Sequence, residues 1–253
     1  MITVDILPQT AFTFMLIFSR LAAMIMLMPA LGETSIPTQV RLVLALLLTM
    51  VMMPLVASSY GAIPATVPGL AFIVMTEIAV GLFIGTAARL IMSALHVAGN
   101  IIAMQMSLAF AQSVDPTQGQ QGVLLANFLS LLAVTLIFAT HLDHLLIAAM
   151  RDSYELFVPG QPIPVGDFSE MAVKFVSDAF RIGLQLAAPF LVFGLIFYVG
   201  IGILSRLMPQ IQIFFIAMPA NISLGLVLLL FLVGAMMTWF LQAFEQSISM
   251  FAG

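Results

Sequence analysis

The sequence predicts an all-α membrane protein made of long, kinked and broken helices. Three observations predict it. Of 253 residues, 62% are hydrophobic and only 7% are charged, against about 25% charged in a soluble domain, so polar groups are too few to cover a water-facing surface. Six apolar segments are each long enough to cross a hydrocarbon layer of about 30 Å as helices rising about 1.5 Å per residue. Proline, glycine and glutamine gather where those segments stop or fray, which marks turns and irregular backbone.

The first segment runs from Pro8 to Leu31 and carries Arg20 inside it. It is expected to be mature structure, because Asp5 is the only charge before Arg20 and no cationic signal-peptide region precedes it. Pro29 to Pro37, with Gly32, reads as a turn. The second segment, Arg41 to Ala57, is nearly pure Leu, Val and Met and is closed by Pro54 and a Ser-Ser-Tyr-Gly tract. The third, Pro68 to Leu95, carries Glu77 and Arg89.

From His96 to Gln121 the chain is apolar but studded with Asn100, Gln105, Gln112 and Asp115-Pro116. A regular lipid-facing helix is not expected there. At membrane depth, irregular backbone is tolerated only inside protein or along a watery cavity, which makes this stretch the main functional suspect. A fourth segment, Gly122 to Met150, is expected to be one helix ending in the polar cluster Arg151 to Glu155. The loop VPGQPIPVGDFSE is the best candidate for an internal boundary. A long segment from Phe168 to Leu207 is amphipathic at first, with Lys174, Asp178 and Arg181, and Pro189 is expected to kink its apolar half. Pro209 and Pro219 bracket a short apolar piece, and a last helix is expected from Asn221 to Ser247.

The absence of cysteine excludes disulfides and thiolate metal sites. A net charge of -4 without any basic run argues against nucleic acid. Loop charges do not choose an orientation by the positive-inside rule: Arg41, Arg89 and Arg206 fall on one side and Arg151, Lys174 and Arg181 on the other. That balance suggests that the helices are not all simple crossings.

No phosphate-binding glycine loop or zinc-hydrolase pattern is present, and no cofactor is expected. His141 and His144 lie three apart with Asp143 between them, which in principle could hold a metal. A third ligand is not evident, and a helix-end polar cluster is the simpler reading. Glu77 and Arg89 stand in an apolar segment, where an unpaired charge is expensive. Twelve residues, about 18 Å of helix, separate them, so each needs a partner elsewhere in the fold, in another subunit or in water. A proton or ion relay is the sharper alternative, although few other carboxylates accompany them. Nineteen methionines are mostly soft core filler. Met104 and Met106 share the glutamine-rich stretch with Phe110, where thioethers and an aromatic ring suit a hydrophobic constriction.

Three stretches together resemble one family: SRLMPQIQIFFIAMPANISLGL (Ser205 to Leu226, with Met208-Pro209-Gln210, Phe214 and Pro219), MQMSLAFAQSVDP (Met104 to Pro116) followed by HLLI (His144 to Ile147), and SYELFVPG (Ser153 to Gly160). Their order and spacing over nearly the whole chain are similar to the FliR family. These are the R subunits of the flagellar type III export gate and of related virulence secretion systems. Asp143 departs from the Gly-His-His-like family pattern.

The resemblance implies a FliP-like helical part over 1–165, including a plug loop over 104–121, followed by a FliQ-like helical hairpin over 166–253, all in one membrane-associated unit. It implies a non-enzymatic subunit of the bacterial inner membrane, within the flagellar basal body, part of it standing above the membrane plane. Implied partners are FliP-like and FliQ-like gate subunits, FlhB-like and FlhA-like export components, unfolded export substrates and membrane lipid. Met104, Met106, Phe110 and Gln112 would serve the plug. Glu77, Arg89 and Arg206 would serve charge pairing or subunit contacts, and Pro209, Gln210, Phe214 and Pro219 the hairpin turn. The competing reading is a self-contained secondary transporter with helices broken around Asn100 to Gln121 and Pro209 to Pro219. An intramembrane enzyme would need convergent catalytic groups that the sequence does not offer.

Overall fold

A computed structural model describes residues 6–29, 31–32, 36–61, 64, 66–108, 124–163, 165–208 and 213–252. Regular structure among them is entirely helical. It comprises α1 (Ile6–Leu27), α2 (Thr38–Val56) with a 3-10 turn at Ala57–Ser59, α3 (Val67–Gln105), α4 (Leu124–Ala139), α5 (Leu142–Leu156), α6 (Val165–Leu207) and α7 (Ile213–Ile248). Of the described helices, α1, α2, α3, α6 and α7 are long and apolar enough to cross a membrane, and α4 with α5 would make a sixth, bent span.

Three boundaries differ from the sequence expectation, each for a physical reason. Helix α3 does not fray at Leu95 but continues to Gln105. Two of the three polar residues in this extension, His96 and Asn100, lie four apart on an exposed face that continues at Met104, while Leu95, Ala98 and Ile102 are buried and Gln105 is half-buried. The stretch that looks too polar for a helix is an amphipathic one.

The fourth segment is two helices rather than one, bent by 79°. His141 adopts a left-handed backbone with φ 59, which interrupts the helical ladder of hydrogen bonds. Helix α5 then carries Asp143, His144, Arg151, Asp152 and Glu155 within 15 residues, so it cannot extend the apolar α4 through the same medium. Its acidic first turn suits the positive end of the helix dipole.

Helix α7 starts at Ile213 and passes through Pro219, eight residues before the expected start at Asn221. The proline removes one ladder bond. Helix α6 likewise contains Pro189 without interruption.

The chain forms two compact units that alternate along the sequence: Met1–Ile91, Phe138–Val176 and Glu245–Gly253 in the first, Met92–Ile137 and Ser177–Phe244 in the second. In the first, α1 buries Leu16, Ile17, Leu21, Met24 and Ile25, the stripe that i+3/i+4 spacing places on one face. The close approach of α1 and α3 depends on Gly81, where a Cβ would overlap the Arg20 carbonyl oxygen. Phe83, Phe157, Phe168 and Phe251 form an aromatic cluster in the same unit.

In the second unit α3 meets α4 at Gly99, against the backbone of Ala126, and Ala98, Ile102, Leu129 and Ala133 are buried. Small residues at a helix crossing let backbones touch, which is how membrane helices gain packing energy without a hydrophobic drive between them. Large apolar side chains remain exposed in both units, including Met50, Val51 and Leu55 on α2 and Leu230 and Phe231 on α7. Such a surface requires lipid or an apolar neighbour.

Candidate functional site

Two polar constellations interrupt these apolar interiors, one in each unit. The first is built on Arg20 of α1. Its apolar neighbours on the α1 stripe turn it inward, where it is 1% exposed, and Glu77 of α3 is 0% exposed. Arg20 Nε donates to Glu77 Oε2 at 2.6 Å and Nη2 to Oε1 at 2.9 Å, a bidentate pair. The remaining donors go to the C-terminal end of α5: Nη1 to the Ser153 carbonyl at 2.9 Å and more weakly to Ser153 Oγ at 3.5 Å, Nη2 to the Phe157 carbonyl at 3.0 Å. Every guanidinium nitrogen is therefore engaged.

The carboxylate is equally occupied. Glu77 Oε2 also accepts from the Tyr60 hydroxyl at 2.9 Å. Burial, reinforced by the Glu77 charge, pushes that hydroxyl above its ordinary pKa, so it stays a donor. The Tyr154 ring lies 4.2 Å from the guanidinium carbon, a cation–π contact. Four separate stretches of chain, α1, the end of α2, α3 and α5, are thus tied to one buried charge pair. A cavity of about 410 Å³ adjoins it, edged by Gln161, Asp167 and Phe168.

This arrangement suits fastening better than proton transfer. A relay needs a carboxylate free to exchange its proton along a path, whereas both Glu77 oxygens are committed to strong donors.

The second constellation lies where α3 ends. Asn221 of α7 is fully buried, and its Nδ2 donates to the Gln105 carbonyl at 2.8 Å and to Ser107 Oγ at 2.7 Å. Ser107, held at φ 59, shares a 3.2 Å hydrogen bond with the Tyr198 hydroxyl of α6. Met106 packs on Gly225, where a Cβ would come within 2.5 Å of the Met106 Cγ, and Gly194 leaves room for the Gln105 side chain. The last turn of α3 is pinned to α6 and α7 immediately before the glutamine-rich segment.

Glu77 thus has an intrachain partner, while Arg89 and Arg206 are exposed, Arg206 in the last turn of α6, where a cation suits the helix dipole. Met104 is 56% exposed and Met106 is 0% exposed, so the two methionines diverge. Pro219 lies within α7. Phe110, Gln112, Pro209 and Gln210 lie outside the described residues, as does the side chain of Phe214.

Sequence reasoning misses Arg20 as the partner of Glu77, although opposite charges in two apolar segments are a usable signal. It also misses Asn221, Ser107 and Tyr198. The backbone acceptors Ser153 and Phe157 leave no trace in the sequence.

Residues 11–247 match the family described as bacterial export proteins, family 1. Several relatives carry the name flagellar biosynthetic protein FliR. That of Caulobacter vibrioides is 45% identical over 225 residues, covering 88% of this chain and 90% of its own length. That of Escherichia coli is 33% identical over 83% and 80%, and that of Bacillus subtilis 25% identical over 90% and 86%. With five described helices long and apolar enough to span, this is a multi-pass protein of the bacterial inner membrane. A match across nearly the whole chain, together with a relative of 45% identity, places it plainly: the chain belongs to the bacterial export proteins, family 1, alongside the flagellar biosynthetic proteins named FliR.

Proposed function

We propose that the chain is a structural, non-enzymatic subunit of the flagellar type III export gate, helping to form and close the pore through which unfolded export substrates cross the inner membrane. Its neighbours in this reading are FliP-like and FliQ-like subunits, with FlhB-like and FlhA-like export components. Residues 1–165 take the FliP-like role and 166–253 the FliQ-like hairpin. The apolar side chains exposed on α2 and α7 then meet partners and lipid.

The observation that carries this reading is the fastening of α3 by Asn221 and Tyr198 just before the segment 109–123. A closing loop works only if its stem is held, because a loose stem would let the closure drift with every fluctuation. Deleting Met106 to Gln112 from the assembled gate, or replacing Phe110 by Gly, is expected to make it leak small ions. Asn221→Ala is expected to leak less. It loses two hydrogen bonds and takes the side-chain donor from the Gln105 carbonyl, a penalty of about 1–3 kcal/mol, while Ser107 Oγ keeps its bond to the Tyr198 hydroxyl. Ion conductance of membranes carrying each gate is the readout, and an unchanged conductance in the deletion variant would sink the closure role.

A further inference from the structure

We propose that His141, Asp143 and His144 form a binding site for one divalent transition-metal ion of the zinc, nickel or cobalt class, at the bend between α4 and α5. Among the described residues these three offer ligand atoms that all lie within 4.8 Å of one another. They are two imidazole nitrogens and a carboxylate oxygen, the donor set such ions favour over calcium or magnesium.

Sequence spacing alone does not bring the three together, and the bend does. His141 stands before the first turn of α5 in a left-handed conformation with φ 59. This sets its ring parallel to that of His144, with centroids 5.5 Å apart and an interplanar angle of 4°. A side chain seldom accepts that backbone, and here it places an imidazole beside its neighbour.

The carboxylate completes the set. Asp143 Oδ2 lies 4.0 Å from His144 Nε2, and Asp143 Oδ1 is buried without a hydrogen-bond donor. An acceptor of that kind is costly, and positive charge bound at the carboxylate offsets that cost. The site also has access. His144 has a side-chain exposure of 72%, and α5 bears five charged or imidazole side chains in 15 residues, so water reaches it. Three protein ligands leave room for water to complete a tetrahedral shell.

The test uses the full chain, purified without a histidine tag together with its partner subunits, and titrated with Co²⁺ and then Zn²⁺. One Co²⁺ per chain, reported by a visible d–d absorption band that Zn²⁺ displaces, is the expected result. His141→Ala and His144→Ala should each weaken binding at least about tenfold, the loss seen even for outer-shell partners of metal ligands. Asp143→Asn, a near-isosteric change that spares the fold, should weaken it as well and serves where the alanine variants misassemble. A third histidine, His96, lies in the other unit, and His96→Ala should leave the titration unchanged. Absence of the band in the assembled wild type overturns the proposal. So does a band that survives in the His141→Ala/His144→Ala double variant, or one that Asp143→Asn leaves unaltered.

Discussion

Replacing Glu77 by Ala is expected to destabilise the chain by about 3–5 kcal/mol, the cost of breaking a buried ion pair from one side. The variant strands a guanidinium that is 1% exposed. Arg20 would keep its bonds to the carbonyls of Ser153 and Phe157, yet those supply dipoles and no counter-charge. The Tyr60 hydroxyl loses its acceptor in the same step.

Removing both charges is a different experiment. The double variant Arg20→Met/Glu77→Met should recover much of the loss, because well-packed apolar groups of similar volume often replace a buried pair at little cost. The Phe157 carbonyl and the Tyr60 hydroxyl would lose these partners, while the Ser153 carbonyl keeps the Phe157 N–H, so recovery should be incomplete. Unfolding of the purified chain in detergent, compared across the single and double variants, measures the coupling directly. A single Glu77→Ala variant as stable as the parent would show that the pair fastens nothing.

The second large effect concerns space. Gly99→Val should destabilise by more than the about 1–3 kcal/mol typical of overpacking, because the obstruction is backbone. A Cβ at Gly99 would overlap the Cα of Ala126 and come within 2.6 Å of its nitrogen, and neither can rotate away as a side chain can. Even Gly99→Ala forces α3 and α4 apart and costs close packing along Ala98, Ile102, Leu129 and Ala133, all buried. Gly166 near the start of α6 is the control. A Cβ there meets nothing within 4 Å, so Gly166→Ala should stabilise by about 0.4–1 kcal/mol through the unfolded chain. Thermal unfolding midpoints of the two variants should move in opposite directions, and equal midpoints would refute the close contact.

How far the sequence speaks depends on the range of the interaction that decides each feature. Hydropathy is local, and it locates all the long apolar helices, with α6 running Val165–Leu207 against an expected Phe168 to Leu207. Backbone conformation at one residue is less legible. Nothing before His141 signals a left-handed turn, since glycine is the usual occupant and this is a histidine, so the bend between α4 and α5 is invisible beforehand.

The His96–Gln105 region shows a further limit. Its polar residues suggest a break when counted and a helix when placed four apart, so periodicity outweighs composition there. Pairing across the chain is the least legible. Glu77 announces a need for a partner by its setting, but Arg20 and Tyr60 answer it from two other stretches of chain, and Arg20 in turn is held by the main-chain oxygens of Ser153 and Phe157 at the end of α5. The family resemblance supplies the export role, while the fastening of α3 by Asn221 emerges only from the fold.

The Arg20–Glu77 pair also sets an order of events during synthesis. The two residues are 57 positions apart, and the Ser153 carbonyl is 133 positions from Arg20. At about 5–20 residues per second of translation, α1 waits several seconds for Glu77 and longer still for α5. Until then its arginine faces hydrocarbon, the insertion machinery or the headgroups without its final ligands. Of the helices joined at this pair, α1 is made before the others, yet it is settled only once α5 has followed. The chain carries in this one side chain a delay that holds α1 uncommitted until α5 has been made.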